Sequence, residues 1–220
     1  MNELVIRCCV LGMVSTNCYI VYTEPKEEGE DVLSPGVIID PGDNAPFILN
    51  KCRELKVSPQ AVLLTHGHFD HILAAEDIRR AFHIPIMAGE DEMTLLGEAD
   101  MNLSASFGEA VSVSADRWLR DGETLKLIGR SWKVIHTPGH TAGGVCYYIE
   151  EEKVLFSGDT LFRESVGRTD LPTASPMDII DSVGRKLLVL PEDTNVYPGH
   201  DEDTTIGHEK KYNIIYHGRR

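Results

Sequence analysis

The chain is short of positive charge, has no cysteine framework, and contains no long uninterrupted apolar run. Each shortage removes a class of protein. Lys and Arg number 21 against 35 Asp and Glu, a formal net charge of -14. So acidic a chain repels phosphate backbones at long range, which argues against nucleic acid as a partner. The five cysteines, Cys8, Cys9, Cys18, Cys52 and Cys146, are odd in number and form no C-x-x-C pair. They make a poor disulfide framework and fit a reducing cytosol. Residues 4–22 are fairly apolar but are broken by Arg7, Ser15, Thr16 and Asn17, and no basic region precedes them. The expectation is a cytoplasmic protein with neither signal peptide nor membrane association. No stretch rich in Pro, Gly or Ser divides the 220 residues, and there is no repeat or low-complexity segment.

What is present suits a soluble globular protein, with 42% hydrophobic and 25% charged residues. Apolar runs predict strands at residues 4–11 and 18–22, at 37–40 ending on Pro41-Gly42, and at 61–64 and 84–87. Helical spacing of Phe47, Ile48, Cys52 and Leu55 predicts a helix there, and a second is expected over residues 72–82. Residues 97–115 carry no regular pattern and read as a surface excursion. Asp121-Gly122 reads as a hairpin turn between Trp118-Leu119 and residues 123–128. Strands are expected at 132–136, 145–149 and 154–156, a helix at 177–188 behind Pro176, and a last strand at 195–197. Hairpins mixed with strand–helix units predict an α/β sandwich rather than a regular parallel doubly wound sheet.

The sharpest local feature is Thr65-His66-Gly67-His68-Phe69-Asp70-His71, directly after an apolar strand. Imidazole and carboxylate suit zinc, iron and manganese alike. Alternate loop residues such as His66 and His68 can face one ion, while Asp70 and His71 reach another. Further candidates stand beside glycine at later strand ends: His140 in Thr137-Pro138-Gly139-His140-Thr141, Asp159 in Ser157-Gly158-Asp159-Thr160, and His200 in Tyr197-Pro198-Gly199-His200.

The order of these motifs resembles the metallo-β-lactamase superfamily. More narrowly it is similar to the glyoxalase II (hydroxyacylglutathione hydrolase) branch. The Thr16-Asn17-Cys18-Tyr19 start and the Gly167-Arg168-Thr169-Asp170 segment resemble its short bacterial members. The resemblance implies a four-layer αβ/βα sandwich over residues 1–220, a single domain without a separate C-terminal helical domain. It implies two divalent metal ions, zinc first, with iron or manganese also suited. One ion would take His66, His68 and His140, the other Asp70, His71 and His200, with Asp159 bridging. Asp40, Thr65 and Thr141 would orient the ligands, and Asp70 would also hydrogen-bond the nucleophile.

The implied activity is hydrolysis of a small-molecule thioester by a metal-bridging hydroxide. Thiolate is a good leaving group, so no strong general acid is needed. Arg168 is the candidate for gripping a substrate carboxylate, or else pairs with Asp170. Only 20 residues follow His200, too few for the helical region that helps full-length members bind glutathione, and Ile214 stands where a proline is usual after Asn213. These departures point towards a thioester of another small thiol. Two other readings share the motifs: a persulfide dioxygenase with one iron on His66, His140 and Asp159, and a metal-bound binding module without catalysis. Oligomeric state is not readable from the sequence.

Overall fold

Strands with apolar residues at every position are buried on both faces. The computed structural model, which describes residues 2–24 and 32–217, contains two sheets whose central strands are of this kind. The acidic stretch 25–31 lies outside the described residues. The first half of the chain forms β1 (Leu4–Leu11), β2 (Thr16–Thr23), β3 (Ser34–Ile39), α1 (Ala45–Glu54), β4 (Val57–Leu63), α2 (Phe69–Ile72), α3 (Ala75–Phe82), β5 (Ile86–Gly89), α4 (Met93–Gly97) and β6 (Arg117–Leu119). The second half forms β7 (Thr124–Leu127), β8 (Arg130–His136), β9 (Val145–Ile149), β10 (Val154–Gly158), β11 (Leu161–Phe162), β12 (Ser165–Val166), α5 (Pro176–Asp181), β13 (Asn195–Pro198), β14 (Thr204–Thr205), α6 (Ile206–Tyr212) and α7 (Ile214–His217).

One sheet runs β1-β2-β3-β4-β5-β6, antiparallel at first and parallel from β3 onward. The other runs β14-β13-β10-β9-β8-β7, with only the β10–β13 pair parallel. Side-chain alternation distributes the strands over three cores. Cys18, Ile20 and Tyr22 of β2 pack with Ile48, Cys52 and Ile78 of α1 and α3. Tyr19 and Val21 point the other way and meet Trp132, Tyr147 and Phe156 of the second sheet. Cys146, Tyr148 and Leu155 on the far side of that sheet pack with Val183, Leu187 and Ile206. Helix, sheet, sheet and helix therefore form four layers, the metallo-β-lactamase fold. No helix of the described residues is long and apolar enough to cross a membrane.

Four local expectations need correction. Trp118-Leu119 and residues 123–128 do not pair: β6 joins the first sheet and β7 the second, so Asp121-Gly122 carries the chain between sheets. The hairpin is one step later, β7 to β8, through Ile128 (φ 50) and Gly129 (φ 72). Two successive positive φ values are what a two-residue hairpin turn requires, and glycine supplies the second without strain. The helix expected over 72–82 is broken between α2 and α3. Residues 97–115 are not simply a surface excursion: Asn102, fully buried, donates to the Leu96 and Val111 carbonyls and anchors the loop. The last expected strand, β13, is followed by a further short strand and two helices that the apolar pattern does not announce.

Candidate metal centre

The strand ends bring the singled-out residues to one edge of the sandwich. His66 and His68 follow β4, Asp70 and His71 lie on α2, His140 follows β8, Asp159 follows β10 and His200 follows β13. Ligand-type atoms of His66, His68 and His140 lie within 4.8 Å of one another, as do those of Asp70, His71 and His200. Asp159 stands between the two groups: one oxygen is 3.5 Å from both His140 Nε2 and His200 Nε2, the other 3.5 Å from His71 Nε2.

Surrounding groups fix the imidazole tautomers. His71 Nδ1 donates to Asp40 at 3.0 Å, and His140 Nδ1 donates to the Arg168 carbonyl at 2.8 Å. Thr65 Oγ1 donates to Asp40 at 2.6 Å and, with its hydrogen so committed, accepts from His66 Nδ1 at 3.1 Å. Each contact uses Nδ1 and leaves Nε2 to face the centre. Asp40 thus orients one imidazole of each group, from a backbone turned to φ 48, a conformation that costs an ordinary residue roughly 1 kcal/mol.

The fit to metal rests on orphaned atoms. His66 Nε2, His68 Nε2, His71 Nε2 and Asp159 Oδ1 are buried with no hydrogen-bond partner. Leaving such atoms unpaired costs about 1–3 kcal/mol each, and one cation at each ligand group would satisfy all four. Electrostatics agree. Burial, reinforced by neighbouring imidazoles, holds His66 well below the ordinary histidine value and His68 down at about 3, so both stay neutral ligands. Burial opposes the charge on Asp70, but His71 and hydrogen bonds from His200, His71 and Thr16 outweigh it and hold the carboxyl well below its usual range. Burial likewise opposes the protonation of His71, yet the carboxylates of Asp70, Asp159 and Asp40 raise it well above 6.5. This excess of carboxylate around buried imidazole is the environment that a bound cation neutralises.

The structure also gives reasons for sequence features that had none. Thr16 Oγ1 donates to Asp70 at 2.7 Å, and Asn17 Nδ2 and Tyr19 Oη donate to the Pro198 carbonyl at 3.0 and 2.6 Å. The Thr16-Asn17-Cys18-Tyr19 segment therefore ties β2 to the α2 and β13 ligand loops. Arg168 lines the cleft above the centre, but its side chain forms a bidentate pair with Asp170 at 2.7 and 2.9 Å, and it orients His140 through its backbone carbonyl. The Thr141 hydroxyl donates to Glu92.

Glu92 is the residue that sequence reasoning missed. It is fully buried, and it accepts from the backbone of Gly67 at 3.0 Å and of Gly143 at 2.9 Å as well as from Thr141. It thereby clamps the first ligand loop to the loop holding His140. A glutamate among other acidic residues at 90–92 gives no sequence signal of burial. Glu92→Ala is expected to lower unfolding free energy by about 3 kcal/mol or more, since three buried donors lose their acceptor; urea denaturation measures this. Burial pushes the Glu92 carboxyl from 4.5 up to about 7, although its three hydrogen bonds oppose the shift. The folded state thus favours the neutral acid. Its contribution is complete below pH 4.5 and is lost as pH rises towards 7. In Glu92→Gln that part of the decline should vanish, and an unchanged pH profile would count against it.

The metallo-beta-lactamase superfamily model matches residues 11–200, and the chain belongs to that superfamily. Among particular relatives, it is 36% identical over 200 residues to the hydroxyacylglutathione hydrolase GloC of Haemophilus influenzae, covering 90% of this chain and 91% of that protein. The crystal structure of the BLEG-1 B3 metallo-beta-lactamase is 37% identical, with a TM-score of 0.88 over 96% of this chain and 99% of the other. TTHA1623 in a di-iron-bound form is 36% identical, with a TM-score of 0.80 over 95% and 99%. Membership in this metallo-hydrolase superfamily supports an enzyme, and its His/Asp cluster is one that could hold divalent metal.

Proposed function

We propose that this chain is a binuclear metal hydrolase acting on a small-molecule thioester. The observation that carries the reading is Asp159, whose two oxygens lie between the two ligand groups. His66, His68 and His140 would hold one ion and Asp70, His71 and His200 the other, with Asp159 shared. Ions bound there supply Lewis acidity, lowering the pKa of water and drawing charge from a carbonyl oxygen.

The protein's own groups do the rest. Asp40 and Thr65 hold the imidazoles in one tautomer. Asp70, kept ionised and fixed by Thr16, lines the cleft, where it accepts a hydrogen bond from the attacking water. The cleft, about 370 Å³, admits a small substrate beside both groups. Similarity to GloC supports a thioester. All five cysteines are unpaired, which supports the cytoplasmic reading.

Zinc is the first choice by donor set, and iron or manganese fit the same ligands. One second reading, iron-dependent persulfide oxygenation on His66, His140 and Asp159, is supported by likeness to the crystal structure of ETHE1 from Myxococcus xanthus, 27% identical with a TM-score of 0.74 over 98% of this chain and 86% of the other. Metal analysis of protein purified without added metal separates the two. About two ions per chain, with thioester hydrolysis and little β-lactam turnover, is the expected result. A single iron per chain, with oxygen uptake on a persulfide, overturns the hydrolase.

A further inference from the structure

The cleft carries information on substrate that the ligand motifs do not. Large apolar side chains are left exposed on one side of it: Met13 at 71%, Phe107 at 48% and Val14 at 40%. Val14, Phe69, Leu103, Phe107 and Leu171 line the cleft directly, and Met13 lines a small pocket of about 50 Å³ that shares Phe69 and Phe107 with it. Phe107 stacks on Phe69 with ring centroids 4.2 Å apart and planes 12° from parallel. Phe69 is the residue between His68 and Asp70, so this wall begins within the ligand motif itself. It is also prebuilt: Phe69 N donates to the Asn102 carbonyl at 2.9 Å, and Asn102 pins the loop that carries Phe107. Clustered exposed apolar side chains beside a polar centre mark a binding surface.

The charges point the same way. Arg168 is the only Lys or Arg among the described residues lining the cleft, and both of its bonded nitrogens are committed to Asp170. The small pocket is edged by Asp43 and Glu109. A group bearing carboxylates, such as glutathione with its two, would compete with Asp170 for Arg168 and meet two like charges, Asp43 and Glu109, at the end of this wall.

We infer that the substrate places an uncharged apolar group, acyl or S-alkyl, against the Met13–Val14 turn and the Phe69–Phe107 stack. This rests on the thioester reading, whose substrate class it narrows to thioesters with a neutral, hydrophobic flank.

The test uses metal-loaded enzyme and two ester series, acetyl to hexanoyl on one small neutral thiol, and acetyl on alkyl thiols of increasing length, with S-lactoylglutathione alongside. In at least one series kcat/KM should rise about three- to fourfold per added methylene until the wall is covered. Phe107→Ser should lower kcat/KM for the longest ester of that series roughly tenfold, through KM rather than kcat, and flatten the slope. Flat profiles in both series, or preference for the glutathione ester over every neutral one, overturn the inference. If no thioester is hydrolysed, the proposed activity fails by itself. Calorimetric titration of the loaded protein with acetate through hexanoate then still decides: affinity rising with chain length and lost in Phe107→Ser supports the apolar wall, and constant affinity rejects it.

Discussion

Asp159→Ala is expected to lower kcat/KM for a thioester by about a thousandfold or more, equivalent to roughly 4 kcal/mol of transition-state stabilisation. The side chain sits within 3.5 Å of imidazoles from both ligand groups. Removing it takes a shared anionic ligand from two cations and leaves His71, His140 and His200 without their common partner. Metal content should drop from two ions per chain towards one, and both quantities can be read on the same preparation by elemental analysis and steady-state kinetics. Folding should survive, because Asp159 follows β10 and contributes to none of the three cores. Retained metal with full turnover would remove Asp159 from the centre. Loss of metal with no catalytic activity in the wild type to lose would favour a binding module.

The second large effect concerns space rather than charge. A Cβ on Gly199 would lie 2.1 Å from an Asp159 carboxylate oxygen and 2.7 Å from the His71 ring. Neither neighbour can yield easily. His71 is fully buried and held by Asp40, and the Gly199 backbone is tied to Gly158 and Asn17 at 2.9 and 2.7 Å. Gly199→Ala should therefore displace the carboxylate or the loop by the order of 1 Å, a misplacement that costs about a hundredfold in rate. Far-ultraviolet circular dichroism should show the fold intact while metal affinity and kcat/KM fall together. Gly97→Ala serves as the control, since a Cβ there meets nothing within 4 Å. Equal activity of the Gly199 and Gly97 variants would show that the centre is looser than the packing implies.

Much of the fold was legible because burial on two faces leaves a mark. Runs such as Val145 to Ile149 are apolar throughout, and both faces of β9 are covered, one in the inter-sheet core and one by Val183, Leu187 and Ile206. Partner choice was not legible. Trp118-Leu119 and residues 123–128 look like one hairpin around Asp121-Gly122, yet they enter different sheets. Local turn chemistry sets a bend, whereas the strand that captures each arm is decided by distant packing. The same holds for Asn102, which looks like a loop residue and is a buried anchor.

The sequence by itself determined which side chains can ligate metal and that they stand at strand ends, since donor chemistry belongs to the residue type and strand ends are marked by Pro and Gly. Only the tertiary structure decided which donors share a group, that Asp159 lies between the two groups, that Glu92 clamps two loops, and that the Arg168 side chain turns to Asp170 while its carbonyl orients His140. The physical reason is distance along the chain. The contacts that assemble the centre join residues as far apart as Asn17 and Pro198, and burial, orphaned lone pairs and cross-sheet hydrogen bonds exist only once the two sheets have packed.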